Sequence, residues 1–329
     1  MAEHFHALEI EEIIPETDEA MSIRFKVPPE LAETFRFKAG QHLTLMGIIG
    51  EEEVRRNYSL CTAPADNDLM VTVKRIAGGV FSNWVADELQ AGQRIAVMPP
   101  HGSFTASFDP SRSSHYVAFA GGSGITPIIS LIKTALATEP GSRFTLFYGN
   151  RDSSSVIFLE ALAALKDRYM DRFELFHFLA EEDQDVELFN GMLDQPTCAE
   201  AVLLERGIDG KRIHIERFTA GRPSAALAAA MQAAQEEAKG LSLQVTLDGR
   251  TRKIEFNGEN ILDSAREAGL PAPFACKAGV CATCRARVTK GKVEMAVHYG
   301  LSDEEVEAGY VLTCQSVPSG EGVAVDYDA

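Results

Sequence analysis

The sequence predicts a multi-domain chain: an antiparallel β-barrel over residues 1–108, an α/β domain over residues 112–219, a linker over residues 220–240, and a small mixed-sheet domain over residues 241–329. Three observations carry this division. Short alternating stretches with turn residues between them fill the N-terminal third. Apolar runs that alternate with helical patterns follow. Three closely spaced cysteines, with a fourth farther on, mark the last part.

Barrel strands are expected at Phe5 to Ile10, Ser22 to Val27, His42 to Met46, Tyr58 to Cys61, Leu69 to Arg75 and Arg94 to Met98. Pro28-Pro29, Ala39-Gly40, Gly78-Gly79, Ala91-Gly92 and Pro99-Pro100 punctuate them, and many short strands at such spacing read as a small antiparallel barrel. One helical stretch, Ser82 to Leu89, interrupts the pattern.

The texture changes after Pro110. Tyr116 to Ala120 is an apolar run ending in Gly121-Gly122-Ser123-Gly124-Ile125-Thr126-Pro127, and a helical pattern then reaches Ala137. Arg143 to Tyr148 is a second strand, Val156 to Arg168 a helix, Phe173 to Leu179 a third strand and Arg212 to Phe218 a last one. Strands alternating with helices form a parallel sheet. Pro223, followed by Ala, Gln and Glu, suits a partly helical spacer rather than a domain. Beyond it, Leu243 to Leu247 and Arg252 to Phe256 flank Asp248-Gly249, a hairpin signal. A helix from Ile261 to Ala268 precedes the cysteines, and Arg285 to Thr289 and Val323 to Tyr327 supply further strands.

Cys276, Cys281, Cys284 and Cys314 have the C-x4-C-x2-C…C spacing of a plant-type [2Fe–2S] loop. Structural zinc prefers paired short clasps, and Cys314 has no close partner. No apolar signal segment opens the chain, so a cytoplasmic location with reduced thiols is expected, and disulfides are not. Gly279 and the small Ala278, Ala282 and Thr283 let backbone N–H groups approach the sulfurs. Cys61 and Cys198 lie outside this set and read as small buried hydrophobes.

With 329 residues the chain holds two or three domains. A formal net charge of −17 argues against nucleic acid and anionic membrane surfaces as partners. No apolar run approaches the ~20 residues that span a bilayer.

Other motifs are weaker alone. In Arg56-Asn57-Tyr58-Ser59 an aromatic ring can stack on a flavin, a hydroxyl can bond a ring nitrogen and an arginine can take phosphate; the same tetrapeptide also suits a plain exposed strand. Gly78-Gly79-Val80-Phe81-Ser82 opens the interrupting helix, whose N-terminal N–H groups bind phosphate, although a glycine pair is also an ordinary turn. Gly121 to Pro127 is a strand–loop–helix unit without the G-x-G-x-x-G pattern, open to both a dinucleotide and a structural reading. In Gly149-Asn150-Arg151-Asp152-Ser153-Ser154-Ser155, Arg and Ser suit a 2′-phosphate, which favours NADPH with NADH possible, while Asp152 points the other way. His101 and His214 read as structural.

Together these pieces resemble the ferredoxin-NADP reductase superfamily with a C-terminal plant-type ferredoxin and, within it, the reductase subunits of phenylacetyl-CoA epoxidases. The resemblance rests on Arg56-x-Tyr58-Ser59-Leu60, Gly78-Gly79 with Ser82, Gly121 to Pro127, Tyr148-Gly-Asn-Arg151, Ile213-His-Ile-Glu-Arg-Phe218, the cysteine loop, and Ala308-Gly-Tyr-Val-Leu-Thr-Cys314-Gln. It implies a flavin-binding β-barrel, a nicotinamide-binding α/β domain and a β-grasp ferredoxin domain. Tyr58 and Ser59 would face the FAD ring, and Arg56, with Val73 and the loop Gly79, Val80, Phe81 and Ser82, would hold the rest of the cofactor. Gly122, Ser123, Gly124 and Thr126 would line the nicotinamide path and Arg151 the far end of the coenzyme. Glu216 and Phe218 would close over the flavin, with Ser59 and Glu216 as catalytic residues. Cys276, Cys281, Cys284 and Cys314 would ligate the cluster. Electrons would pass from NADPH through FAD and [2Fe–2S] to a separate diiron oxygenase. A reductase for another aromatic-ring oxygenase, or an electron-relay protein with impaired nicotinamide binding, would share these motifs.

One departure stands out. Relatives carry a strand ending in Cys-Gly-Pro-x-x-Met, whereas Asp194-Gln195 precede Pro196 here, so the nicotinamide domain is expected to be shortened and to reduce its flavin slowly. Cys198 would replace the missing cysteine only if the helix after Pro196 shifted.

Overall fold

The computed structural model describes residues 5–182, 212–216 and 225–329. The expectations for Phe218, Cys198 and the segment around Pro196 lie outside the described residues. The chain divides into two compact units, His6–Ile215 and Glu216–Ala329.

In the first unit, β1 (His6–Thr17), β2 (Ala20–Lys26), β3 (His42–Ile49), β4 (Glu52–Ser59), β5 (Leu69–Lys74) and β6 (Arg94–Val97) form an antiparallel sheet in the order β4-β3-β6-β1-β2-β5. A bridge between Leu60 and Val71 joins its two ends, closing the expected barrel. Alternation decides the core: Leu8 and Ile10, Ile23 and Phe25, Leu43 and Leu45, Val71 and Val73, and Ile95 and Val97 all point inward. β1 runs well past the expected end at Ile10. Glu11 to Thr17 is too polar, and broken by Pro15, to read as a strand, but pairing with β2 holds it through two register shifts. β4 likewise starts six residues before Tyr58, because Gly50, at φ +67°, turns the β3–β4 hairpin. Phe81 and Val85 of α1 (Val80–Glu88) fill the barrel interior from one end.

The same unit continues with β7 (His115–Gly121), α2 (Ile125–Thr138), β8 (Arg143–Asn150), α3 (Leu159–Arg168) and β9 (Phe173–Leu179), the strands parallel in the order β7-β8-β9. Ile125, Ile128, Ile129, Ile132 and Leu136 form the buried stripe of α2 at helical spacing. On the sheet, Phe147 stacks between Phe119 at 5.0 Å and Phe176 at 5.3 Å. α3 begins three residues later than expected, because Asp152 caps a 3₁₀ turn at Ser153–Ser155 and Phe158 takes a left-handed φ of +63°. Arg212 to Glu216 is not the expected last strand. A strand needs a ladder partner, and none of the described strands pairs with it. Ser130 Oγ donates to the Thr62 carbonyl at 2.5 Å, and Cys61 joins the α2 core, so barrel and sheet pack as one body. Burial pushes the Cys61 thiol up to about 12, in keeping with an inert hydrophobe.

The second unit begins with α4 (Ala225–Ala238), within the span read as a linker. It is no spacer. Ala238 is 2% exposed, and Met231 and Ala234 pack on the same core, so Met231, Ala234 and Ala238 make a helical stripe against the small domain. β10 (Ser242–Leu247) and β11 (Arg250–Glu255) form the expected hairpin, with Asp248 and Gly249 at φ +50° and +70°. α5 (Ile261–Glu267) is capped by Asn260, whose Oδ1 accepts from the Asp263 N–H at 2.8 Å. β12 (Arg285–Lys290), β13 (Val293–Met295), α6 (Asp303–Glu307), β14 (Tyr310–Leu312), β15 (Ser316–Pro318) and β16 (Val323–Asp326) complete it. The main sheet runs β11-β10-β16-β12-β14, with the C-terminal β16 inserted parallel to β10. This is the β-grasp arrangement.

Candidate functional site

The cysteines are gathered by the end of α5, the start of β12 and a 3₁₀ turn at Thr313–Gln315. Cys281, Cys284 and Cys314 are buried and Cys276 is half-buried. Their thiols are neighbours in two pairs, Cys276 with Cys281 and Cys284 with Cys314, each thiol perturbing the other's protonation. Among the described residues no three His, Cys, Asp or Glu side chains converge as one mononuclear ion would require. Two thiol pairs are instead what two irons, each taking two protein thiolates, need, so the donor set fits a [2Fe–2S] cluster. The contact within each pair pulls the Cys281 and Cys314 thiols down and pushes those of Cys276 and Cys284 up, so the first proton leaves each pair more readily than the second.

The loop is wound to offer donors to sulfur. Ala278 N–H lies 3.3 Å from Cys276 Sγ, and Gln315 Nε2 lies 3.7 Å from Cys314 Sγ. Lys277 and Ala282 both have positive φ, backbone strain of the kind found in functional loops, and Gly279 between them takes φ +75° without strain. At Gly279 a Cβ would stand 2.7 Å from Val297 Cγ2 and 3.0 Å from Gln315 Cγ, so only glycine closes the turn. Behind the site, Tyr327 OH donates to Thr313 Oγ1 at 2.8 Å, and that hydroxyl donates to the Cys284 carbonyl at 2.9 Å. Arg266 stacks over Phe274 at 4.3 Å, and Lys277 Nζ bonds Asp263 Oδ1 at 2.6 Å, so both cations are held by neighbouring side chains.

In the first unit the flavin residues assemble around β4 and α1. Arg56 and Tyr58 alternate on one face of β4, and the half-buried Tyr58 ring lies 6.0 Å from Phe81 in the first turn of α1. Burial pushes the Tyr58 phenol up, and Arg56 partly offsets this, so the ring remains neutral. Gly78, at φ +72° with open space around it, lets the chain turn into α1, whose first N–H groups have no side-chain cap. Asn83 holds that turn, its Nδ2 donating to the Gly79 carbonyl at 2.6 Å and the Ile76 carbonyl at 3.1 Å. An exposed guanidinium, a helix N-terminus and a half-buried aromatic ring are the donor set for a dinucleotide flavin, and they fit FAD. Val73 and Phe81 turn their side chains into the barrel core, so they can meet a cofactor only through the main chain. Ser82 is also turned inward, its Oγ accepting from Ile76 N–H at 3.2 Å. Ser59 is buried and Val80 exposed.

The glycine loop is a 3₁₀ turn, Gly122–Gly124, leading into α2. Gly122 has φ +48°, and Tyr148, 0% exposed, donates from its hydroxyl to the Gly122 carbonyl at 3.0 Å. Thr126 donates to the Ser123 carbonyl at 3.0 Å, so it shapes the turn instead of facing the crevice. The Asn150 carboxamide approaches Tyr148 without hydrogen-bonding geometry and is left buried with both polar atoms unsatisfied. Arg151 reaches Asp152, Nε to Oδ2 at 3.0 Å. Glu216 is largely buried, its Oε2 has no hydrogen-bond partner among the described residues, and burial pushes its carboxyl up to about 8. Asn83, Gln315, Thr313 and Tyr327 were not visible as functional in the sequence. Only the adjacency of Thr313 and Gln315 to Cys314 pointed toward them.

Comparison with known proteins agrees with this geometry. Family models match for an oxidoreductase FAD-binding domain at residues 7–106, an oxidoreductase NAD-binding domain at residues 119–211 and a 2Fe-2S iron-sulfur cluster binding domain at residues 245–319. The chain is 39% identical to one of the subunits of 1,2-phenylacetyl-CoA epoxidase from Escherichia coli, over 99% of this chain and 98% of the relative. It is 37% identical to the ferredoxin reductase component of 3-ketosteroid-9-alpha-monooxygenase of Mycobacterium tuberculosis, over 100% and 97% of the two chains. The first alignment spans 354 positions against 329 residues, so at least 25 positions of it have no counterpart in this chain. Phthalate dioxygenase reductase shares the fold, with a TM-score of 0.59 at 23% identity over 98% of each chain. The chain therefore belongs to the ferredoxin-NADP reductase superfamily, among the oxygenase reductase components that join FAD-binding and NAD-binding domains to a C-terminal [2Fe–2S] domain.

Proposed function

We propose that this oxidoreductase supplies single electrons to a diiron oxygenase that epoxidises phenylacetyl-CoA. The observation that supports the partner is the 39% identity, along nearly the whole of both chains, to a component of the epoxidase. When bound, FAD would supply two-electron hydride chemistry with a reduced nicotinamide and the cluster one-electron transfer. The chain's own residues bind and orient. Tyr58 gives the flavin a ring to stack on, Ser59 a hydroxyl beside it, and Arg56 with the α1 N-terminus takes its pyrophosphate. Tyr148 holds the Gly122 turn open for the nicotinamide. Glu216, protonated at neutral pH, stores a proton in a dry setting.

The test mixes the purified holoprotein anaerobically with a reduced nicotinamide, follows flavin bleaching and the cluster signal, and then adds the oxygenase with phenylacetyl-CoA. Coupled consumption of nicotinamide and thioester supports the reading. Reduction without turnover, restored by a 3-ketosteroid oxygenase, would instead support the second reading, which the 37% identity over the full chain favours.

A further inference from the structure

We propose that the loop after β8 selects NADH over NADPH, with Asp152 and Glu182 as the determinants. This rests on the reading that the β7–α2 turn binds a nicotinamide dinucleotide. In register, Gly121 at the end of β7 lies beside Gly149 near the end of β8. In parallel α/β sheets the end of the strand next to the glycine turn reads the adenosine ribose: an acid there accepts from the 2′-hydroxyl, and arginine there takes a 2′-phosphate.

By composition, Arg151 and three serines suit the phosphate, but the structure turns several of their donors to acids. Ser154 Oγ and Ser155 N–H both donate to Asp152 Oδ1, at 2.7 and 2.9 Å. Ser153 N–H donates to Glu182 Oε2 at 2.7 Å, and Ser155 Oγ donates to the Asp152 carbonyl at 2.7 Å. Arg151 Nε bonds Asp152 Oδ2 at 3.0 Å, and its Nη1 lies 3.7 Å from Glu19 Oε1. Lys74 is also held toward Glu19, at 3.8 Å. Each exposed pair is weak, but the carboxylates themselves remain. A 2′-phosphate dianion would meet Asp152 and Glu182 as like charges and find these serine donors taken. A 2′-hydroxyl has a ready acceptor, since Asp152 Oδ2 takes only the Arg151 hydrogen bond among the described residues.

The test uses the holoprotein and two probes that differ by one phosphate, adenosine 5′-monophosphate and adenosine 2′,5′-bisphosphate, titrated by calorimetry. The monophosphate should bind at least about tenfold more tightly, about 1.4 kcal/mol, and kcat/KM should favour NADH over NADPH by a similar factor. Asp152→Asn keeps an acceptor for the turn, and with Glu182→Gln it should shift both ratios toward the phosphate form by about tenfold or more. Glu182→Gln alone, which leaves the Asp152 cap intact, should move them the same way. Tighter binding of the bisphosphate by the unmodified protein, or ratios unmoved in the variants, would overturn the proposal. If neither probe binds and neither coenzyme bleaches the flavin, the dinucleotide site itself is refuted and the proposal falls with it, a result distinct from a reversed preference.

Discussion

The carboxamide nitrogen of Gln315 lies 3.7 Å from Cys314 Sγ and 3.0 Å from the Lys277 carbonyl, so one side chain touches both the last cluster cysteine and the loop that carries the others. A donor aimed at sulfur stabilises the more negative, reduced cluster. Gln315→Leu should therefore lower the cluster's reduction potential. One hydrogen bond of about 1 kcal/mol corresponds to roughly 40 mV for one electron. A redox titration followed by electron paramagnetic resonance reads this directly, and an unchanged potential would remove Gln315 from the cluster's surroundings.

The pairing of Cys281 with Cys276 makes a second expectation sharp. Cys281→Ser takes one ligand from one iron and should abolish or badly destabilise the cluster, while FAD, held in the other compact unit, stays bound. Iron, sulfide and flavin are quantified on the purified variant. Full iron and sulfide content would refute the ligand assignment.

Arg56 carries a third. Its exposed guanidinium on β4 is assigned to the flavin pyrophosphate, a charge-assisted contact worth roughly 1.5–3 kcal/mol. Arg56→Ala should lose flavin on dialysis, with the barrel fold intact by circular dichroism. Unchanged flavin content would rule out that role.

Glu139 tests stability instead of chemistry. Its side chain, 0% exposed, accepts from Ser142 Oγ at 2.6 Å, Asp109 N–H at 3.0 Å and Tyr116 OH at 3.0 Å, and Arg112 stands 3.7 Å away. Desolvation raises this carboxyl, but those hydrogen bonds and Arg112 outweigh it and hold it below its ordinary 4.5. Because the folded value is depressed, the stabilisation is present above about pH 4.5 and is lost as the pH falls through the lower folded value. Glu139→Gln should cost about 1–3 kcal/mol at neutral pH and flatten the loss of stability below pH 4.5. Urea unfolding at neutral pH and in acid checks both parts.

Local signals carried much of the result. The spacing of Cys276, Cys281 and Cys284, the Asp248-Gly249 turn and the alternation of Leu43 with Leu45 or Val71 with Val73 are set by neighbours a few residues apart, and each identified its element from the sequence alone. The strand at Phe173–Leu179 appears with the expected bounds for the same reason. Contacts between distant positions decided the rest. β1 extends to Thr17 because β2 pairs with it, and the alanine-rich stretch before Gly240 is a packed helix because the small domain has a core to receive Met231 and Ala238. β16 enters its sheet parallel to β10, a pairing across some eighty residues that no local pattern announces. The loop after β8 shows the difference most plainly. Its composition of one arginine and three serines suggested a phosphate site, and only the folded chain brings Glu182 and Glu19 against donors of that loop. Periodicity and spacing act within one element, whereas charge and pairing act through space, so the partners of those donors came from separate segments and only with the fold.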